Sequence, residues 1–299
     1  MSYLKYYGLS QDPFSNAPNS RFYFNGPHHA QALLRLTYAV SAMKGLAVLV
    51  GDIGAGKTTL ARRMLDSLSE DEYEAALLVI IHRGVTAQWL LRRIALQLGV
   101  ESPSEDKLQL LGQLYRRLVD IHLQNKKAVV LIDEAQMLTT IEVMEEFRGL
   151  LNLELPGKKL LSLVFFGLPD LDQNLKLDPP LAQRVAVKYR LIPFSEASTG
   201  SYIKHRLRMA GATRMPFSPE SVQAAHRFSG GTPRVINTLC DNVLFEGSIA
   251  RVTTIDGKLV ERVAGELSIG PAVTAAAPAV VTSSTEREEI DRYLGLAKW

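Results

Sequence analysis

Cysteine occurs once in the 299 residues, as Cys240. No disulfide can therefore close within the chain, and that usage fits a reducing compartment, with the thiol expected as a small buried side chain on a helix. Long apolar runs are also missing. No stretch approaches the ~18 uninterrupted apolar residues that a membrane helix needs, and the opening Met1-Ser2-Tyr3-Leu4-Lys5 lacks the charged-then-apolar layout of a secretory signal. Charge of one sign is scarce. The net charge is only +3, which neither demands nor excludes nucleic acid, because DNA binding needs a basic patch rather than a basic sum. The histidines do not pair with one another or with the cysteine at metal-ligand spacing; His28 and His29 are adjacent and cannot share a helix face. They are expected at polar surface or loop positions. These absences argue against a disulfide scaffold, a membrane span and a histidine–cysteine metal site, and leave a soluble, cytoplasmic protein. What is present is a hydrophobic fraction of 46%. That is enough for an ordinary core in a chain long enough for about two domains at ~100–200 residues each.

Apolar runs of strand length alternate with amphipathic segments over the first two-thirds. Residues 45–50, 75–82, 128–132, 160–166 and 186–191 read as strands. Residues 28–43, 58–67, 86–98, 107–124 and 141–151 read as helices. Strands apolar throughout and separated by helices signal a parallel sheet covered on both faces. The expected plan is an α/β domain over residues 1–194, opening with an aromatic, proline-rich extension, and a small all-helical domain over 195–268. The latter has helices at 201–210, 219–229, 233–245 and 255–267, with Gly211 and Gly230-Gly231 as breaks. Residues 269–284 have the Ala/Pro/Val/Thr/Ser composition of a flexible linker. Residues 285–299 read as a short amphipathic helix, with Thr285 and Glu288 in a capping-box pattern. A tethered helix of this kind can dock a protein partner through residues 286–299, fold back on its own domain, or fray.

Gly51-Asp52-Ile53-Gly54-Ala55-Gly56-Lys57-Thr58 is a complete G-x-x-x-x-G-K-[ST] phosphate loop, entered from an apolar strand and left through a helix. Triphosphate binding needs backbone N–H groups turned around concentrated negative charge. Glycines at 51, 54 and 56 allow such a backbone, and the positive end of the following helix adds to it. Lys57 is expected on the β- and γ-phosphates of ATP, Thr58 on Mg²⁺, and Thr59 beside them. Val129-Val130-Leu131-Ile132-Asp133-Glu134 places two acids at the C-terminal edge of a buried strand, where open α/β sheets bind ligands. Asp133 is the candidate to hold Mg²⁺ and Glu134 the candidate to orient the attacking water. Arg234 opens a helix after Gly230-Gly231-Thr232-Pro233 and can reach phosphates from the small domain. Arg184, before the fifth strand, can act on a neighbouring subunit's nucleotide.

The order of the phosphate loop, the Asp-Glu strand, Gly167-Leu168-Pro169-Asp170-Leu171, Leu181-Ala182-Gln183-Arg184, Tyr202-Ile203-Lys204-His205-Arg206-Leu207 and Gly230-Gly231-Thr232-Pro233-Arg234 resembles the ExeA/GspA-type AAA+ ATPases. These are the general-secretion-pathway protein A group, related to the TniB and TnsC transposition ATPases. Tyr7-Gly8-Leu9 with Asp12-Pro13-Phe14 also looks like that group's opening, so the similarity covers roughly residues 3–266. The resemblance implies an AAA+ core with a helical lid and ATP hydrolysis coupled to homo-oligomerisation. It also implies an N-terminal segment near the adenine, Arg234 as sensor 2 and Arg184 as a trans-acting finger. Two departures stand out. Leu168 replaces the usual polar residue of Gly-Gln-Pro, leaving open a γ-phosphate sensor on the fourth strand. The group's secretion members continue into a transmembrane helix and a peptidoglycan-binding domain, where this sequence has a linker and a short helix, so direct attachment to the cell wall is not expected.

Three functions remain open at this level. The first is an ATPase that assembles or regulates a cell-envelope secretion or export machine. The second is a DNA-associated ATPase of the transposition-targeting kind, and the third a nucleotide-dependent, partner-recruiting switch. For DNA, the basic cluster Lys204, Arg206, Arg208 and Arg214 is the available surface, although a solvated helix face explains it better and Glu220, Asp241, Glu246, Glu261 and Glu266 offset its charge. Nucleic acid is therefore a conceivable partner but not the favoured one. Trp89 and Trp299 read as packing or docking residues rather than stacking platforms.

Overall fold

A computed structural model of the chain describes residues 2–17 and 19–272. The tethered helix expected over 285–299, and all of the linker beyond residue 272, lie outside the described residues. In chain order the elements are α1 (Tyr3–Tyr7), α2 (Pro27–Ser41), β1 (Leu46–Gly51), α3 (Lys57–Ser67), β2 (Tyr73–Val79), α4 (Ala87–Gln97), α5 (Lys107–Leu123) and β3 (Lys127–Asp133). They continue with α6 (Ile141–Leu150), β4 (Glu154–Leu155), β5 (Lys158–Lys159), β6 (Leu161–Gly167), α7 (Leu171–Leu175), α8 (Pro179–Ala182) and β7 (Val185–Leu191). The last four are α9 (Glu196–Met209), α10 (Pro219–Ser229), α11 (Pro233–Ile249) and α12 (Gly257–Glu266). These form two compact units. One comprises His29–Ile53 and Leu60–Leu191, the other Met1–His28, Gly54–Thr59 and the described chain from Ile192.

The first unit is built on a five-stranded parallel sheet in the order β2-β3-β6-β1-β7. Because side chains alternate across a strand, Leu46, Val48 and Val50 share one face with Ala128, Val130 and Ile132 and with Leu161, Leu163 and Phe165. That face packs with the apolar stripes of α4, α5 and α6, where Leu110, Leu114, Leu118 and Ile121 repeat at helical spacing. The opposite face is buried as well, through Ala47, Leu49, Val129, Leu131, Val164 and Phe166. The helices left to cover it are α2 and α3, whose Leu33, Leu36, Leu60 and Met64 are fully buried. Burying each such side chain contributes about 1.5–3 kcal/mol, so the central strands are committed by composition alone. The helix starts are equally local. Thr86, Asp106 and Thr140 each accept a hydrogen bond from the backbone N–H three residues on, the N-cap arrangement.

The sheet edges differ from expectation in detail. β7 is a strand, but Ala186, Lys188 and Arg190 are exposed, because an edge strand has one wet face. β2 ends at Val79 rather than near His82; Ile80 still donates to the Asp133 carbonyl at 3.0 Å, after which Ile81 is 81% exposed. The β4–β5 hairpin, turning at Gly157 with φ +74°, is too short to show a period in the sequence. Trp89 is 43% exposed and does not pack in the core.

The second unit is helical. α9 starts at Glu196, earlier than expected, because the Ser195 side chain caps it by accepting from Ser198 N while the Ser/Gly-rich first turns hide the period. Its core joins Ile203, Leu207, Ile236, Leu239, Val243 and Leu244 to Phe14 and Phe22 of the N-terminal segment. Cys240 is buried there as expected, and burial pushes its thiol well above the usual range. Arg206 is not on a solvated face. It is 7% exposed, donates through Nε to the Pro13 carbonyl and through Nη2 to the Ser15 carbonyl (2.8 Å), and lies 4.7 Å over the Phe22 ring. The cluster proposed for DNA phosphates is thereby reduced to Lys204, Arg208 and Arg214, which are exposed. Two histidines also depart from surface positions: His29 is buried, and the His205 ring sits 5.6 Å from that of Phe24.

Gly231 shows how tightly the turn before α11 is drawn. Its φ is +75°, its carbonyl accepts from Phe194 N at 2.9 Å, and a Cβ there would lie 2.0 Å from the Phe194 carbonyl oxygen. Gly231→Ala combines a left-handed backbone with a backbone clash, so it should cost about 2–4 kcal/mol. Calorimetry should show the unfolding midpoint lower by about 5–10 °C; an unchanged midpoint would mean that the turn relaxes freely.

Candidate nucleotide-binding site

The phosphate loop begins where β1 ends. Gly51 is the last residue of the strand, buried and without a positive φ, so the freedom expected of it is not used. Gly54 (φ +78°) and Gly56 (φ +97°) do occupy the left-handed region that side chains avoid. Asp52 and Ile53 are exposed and Ala55 is buried. Lys57 opens α3 with its side chain only 7% exposed, and Thr58 and Thr59 follow half-buried in the same first turn. The first N–H groups of any helix lack an intrahelical acceptor and carry the positive end of its dipole, so this turn suits an anion.

Gly54 answers a second constraint. The Arg234 backbone N–H donates to its carbonyl at 3.3 Å. A Cβ at position 54 would stand 2.8 Å from Arg234 Cβ and 3.2 Å from Thr232 Cγ2. The start of α11 thus rests directly on the loop backbone. The Arg234 side chain is exposed, and that of Arg184, just before β7, is half-buried. Neither guanidinium forms an ion pair within the described residues. Arg184 follows α8, whose N-cap Asp178 accepts from Leu181 N at 3.1 Å and is held by Arg148 Nε at 2.8 Å.

The acids lie at the C-terminal end of β3. Asp133 is its last residue and has no exposed surface. Glu134 follows with φ 57° and ψ 34°, a left-handed conformation unusual for a side-chain-bearing residue and frequent at functional positions. Its backbone N–H donates to Asp133 Oδ1 at 3.0 Å. Since β6 lies between β3 and β1 and all run parallel, Asp133, Gly167 and Gly51 end their strands along one edge of the sheet. This is the edge at which such sheets receive ligands.

A carboxylate wholly removed from water requires a cation or donors beside it. The Asp133 carboxylate and the Thr58 hydroxyl are hard oxygen donors, and Mg²⁺ is commonly bound by one or two protein oxygens together with substrate phosphates and water. No cluster of three or more His, Cys, Asp or Glu side chains with metal-ligating geometry occurs among the described residues. Each of these two oxygens is thus of a kind that suits a nucleotide-borne Mg²⁺.

One residue at the acid pair escaped the sequence reading. Gln136, in the 3₁₀ turn Ala135–Met137 that follows Glu134, donates from Nε2 to Glu134 Oε2 at 2.6 Å. No motif or periodicity marks it; only its polarity within an otherwise apolar Ala-Gln-Met stretch offered a hint.

An AAA domain family model matches residues 41–175, the stretch that carries both the phosphate loop and the acid pair. The chain is 38% identical over 245 residues to general secretion pathway protein A of Aeromonas hydrophila, a match covering 81% of this chain and 44% of that protein. The chain thus spans less than half the length of this relative. Among solved structures, Cdc6p of Pyrobaculum aerophilum aligns with a TM-score of 0.66 at 19% identity, over 88% of this chain and 73% of that one. The ORC2 protein of Aeropyrum pernix, solved as ADPNP-ADP complexes, aligns with a TM-score of 0.62 at 15% identity, over 84% and 72%. At such identities the structural likeness establishes the fold alone, a P-loop AAA+ core followed by a helical part. Sequence motifs, strand order and the curated relative agree, and the chain belongs to the AAA ATPases of the general secretion pathway protein A type.

Proposed function

We propose that this chain hydrolyses ATP as a homo-oligomer and couples turnover to the assembly or regulation of a cell-envelope secretion or export machine. The observation that carries the chemical part is the pairing of a complete phosphate loop after β1 with a buried acid pair at the same sheet edge. The cellular part rests on the secretion-pathway name of the 38% identical relative. Nucleotide complexes of the ORC2 neighbour favour an adenine nucleotide as ligand.

In this reading Gly51 to Thr59 hold the triphosphate, with Lys57 neutralising the β- and γ-phosphates. The Thr58 hydroxyl and Asp133, directly or through water, hold the Mg²⁺ that offsets charge on the transferring phosphoryl group. Glu134 orients and polarises the attacking water. Arg234 adds positive charge from the lid, and Arg184 does so from a neighbouring subunit. Residues 1–194 serve as the ATPase domain with its N-terminal extension, residues 195–268 as the lid, and residues 286–299 as a contact for a protein partner. No helix among the described residues is long and apolar enough to cross a membrane.

Phosphate release by purified protein with Mg·ATP, with light scattering in ADP and in a non-hydrolysable analogue, tests the proposal. Absence of nucleotide uptake would remove its basis. Arg184→Ala should leave nucleotide binding by the isolated subunit intact while lowering turnover of the assembly by about 10³-fold or more, the scale at which arginine fingers act. Mixing Arg184→Ala with Glu134→Gln subunits should restore activity if the arginine acts across subunits. No recovery in the mixture would return Arg184 to its own chain.

A further inference from the structure

Gln136 is 6% exposed, yet both ends of its side-chain amide are engaged. Its Nε2 donates to Glu134 Oε2 at 2.6 Å, and its Oε1 accepts from the backbone N–H of Leu168 at 3.1 Å. Its own carbonyl accepts from Asn174 Nδ2 at 2.8 Å. The partners dictate the amide orientation: a flipped amide would set oxygen against carboxylate and NH₂ against N–H. Gly167, the last residue of β6, provides the room. A Cβ there would lie 3.1 Å from Gln136 Oε1, 3.2 Å from Gln136 N and 3.0 Å from Leu171 Cδ2.

Glu134 needs such a partner. It stands just past the strand in a left-handed conformation, so the sheet does not dictate where its carboxylate points. Its freely rotating side chain would otherwise lose rotamer entropy on being fixed. One amide hydrogen bond to Oε2 removes that freedom and leaves Oε1 available to a water. The same amide bonds the backbone at Leu168, where a polar side chain is lacking. From this geometry we infer that Gln136 is a positioning residue for hydrolysis, holding the Glu134 carboxylate in its working orientation and linking it to Leu168, in the turn between β6 and α7, and through its own carbonyl to Asn174 of α7. The inference rests on the assignment of Glu134 proposed above.

Two variants test it, each with Mg·ATP turnover and ADP affinity measured. Gln136→Ala should lower kcat by about 10- to 100-fold, the usual cost of losing an outer partner that orients a reacting group, with KM and ADP affinity unchanged. Gln136→Glu keeps the shape and can still accept from Leu168 N, but it sets an acceptor in place of the donor against Glu134 Oε2. Its kcat should fall at least as far as that of Gln136→Ala, again with KM and ADP affinity unchanged, whereas a residue serving only to fill space would tolerate this isosteric change. Full-speed or accelerated turnover in Gln136→Ala, or normal turnover in Gln136→Glu, overturns the inference. So does a parallel loss of ADP affinity in both variants, since Gln136 would then serve only the fold. Glu134→Gln separates the two levels. If it is slow while Gln136→Ala is not, only the role of Gln136 falls; if Glu134→Gln itself turns over normally, the assignment of Glu134 fails.

Discussion

Lys57→Ala should weaken ATP binding by about a hundredfold or more while the protein remains folded. Lys57 opens α3 and is 7% exposed, so in the proposed site it would meet the triphosphate away from bulk water, where a charge-assisted hydrogen bond is strong. Such bonds contribute about 1.5–3 kcal/mol each, and every 1.4 kcal/mol is a factor of ten in affinity. The helix should survive, because alanine is the best helix former. Titration with a fluorescent ATP analogue in Mg²⁺ would give the affinity, and circular dichroism the fold. An affinity within twofold of the unsubstituted protein would refute the assignment of residues 51–58 as the phosphate site.

Glu134→Gln separates binding from chemistry. It removes the negative charge while keeping the side-chain shape, so nucleotide affinity should change little. Turnover should fall by about 10²- to 10³-fold, the scale on which positioned polar groups act in phosphoryl transfer and related reactions. Gln136 can still donate to the amide oxygen of the substituted residue, which argues that any loss reflects charge and water orientation rather than a displaced side chain. Equilibrium binding with steady-state phosphate release would separate the two parameters. Turnover within a factor of two of normal would dismiss Glu134 as the water-orienting group. Lys57→Ala should act on affinity and Glu134→Gln on rate, so together the two measurements would assign each residue to its half of the site.

The fold is legible because its decisive signals are local. β1, β3 and β6 are buried on both faces, and their runs are apolar from end to end. The edge strand β7 carries Lys188 and Arg190 in its alternation, a sign of a half-wet strand that is easily overlooked beside its valines. Thr86, Asp106 and Thr140 mark helix starts within three residues of the groups they cap. The start of α9 was less legible, since Ser195, Ser198 and Ser201 blur the apolar period, and only the observed capping bond shows where the helix begins.

By itself the sequence determined the glycine-rich turn after β1, the strand ending in Asp133 with Glu134 just after it, and the alternation that yields a parallel sheet, since each depends on consecutive residues and on backbone geometry within one or two turns. Tertiary structure alone decided that Arg206 anchors the N-terminal segment instead of facing solvent. It likewise decided that Gly54 must admit the start of α11 as well as bend the loop, and that Gln136, bonded to Glu134, also meets Leu168, 32 positions further along the chain. The physical reason is common to all three. Burial and hydrogen-bond partnership between distant segments follow from how elements pack, and no local pattern of residue types records which neighbour a side chain will meet.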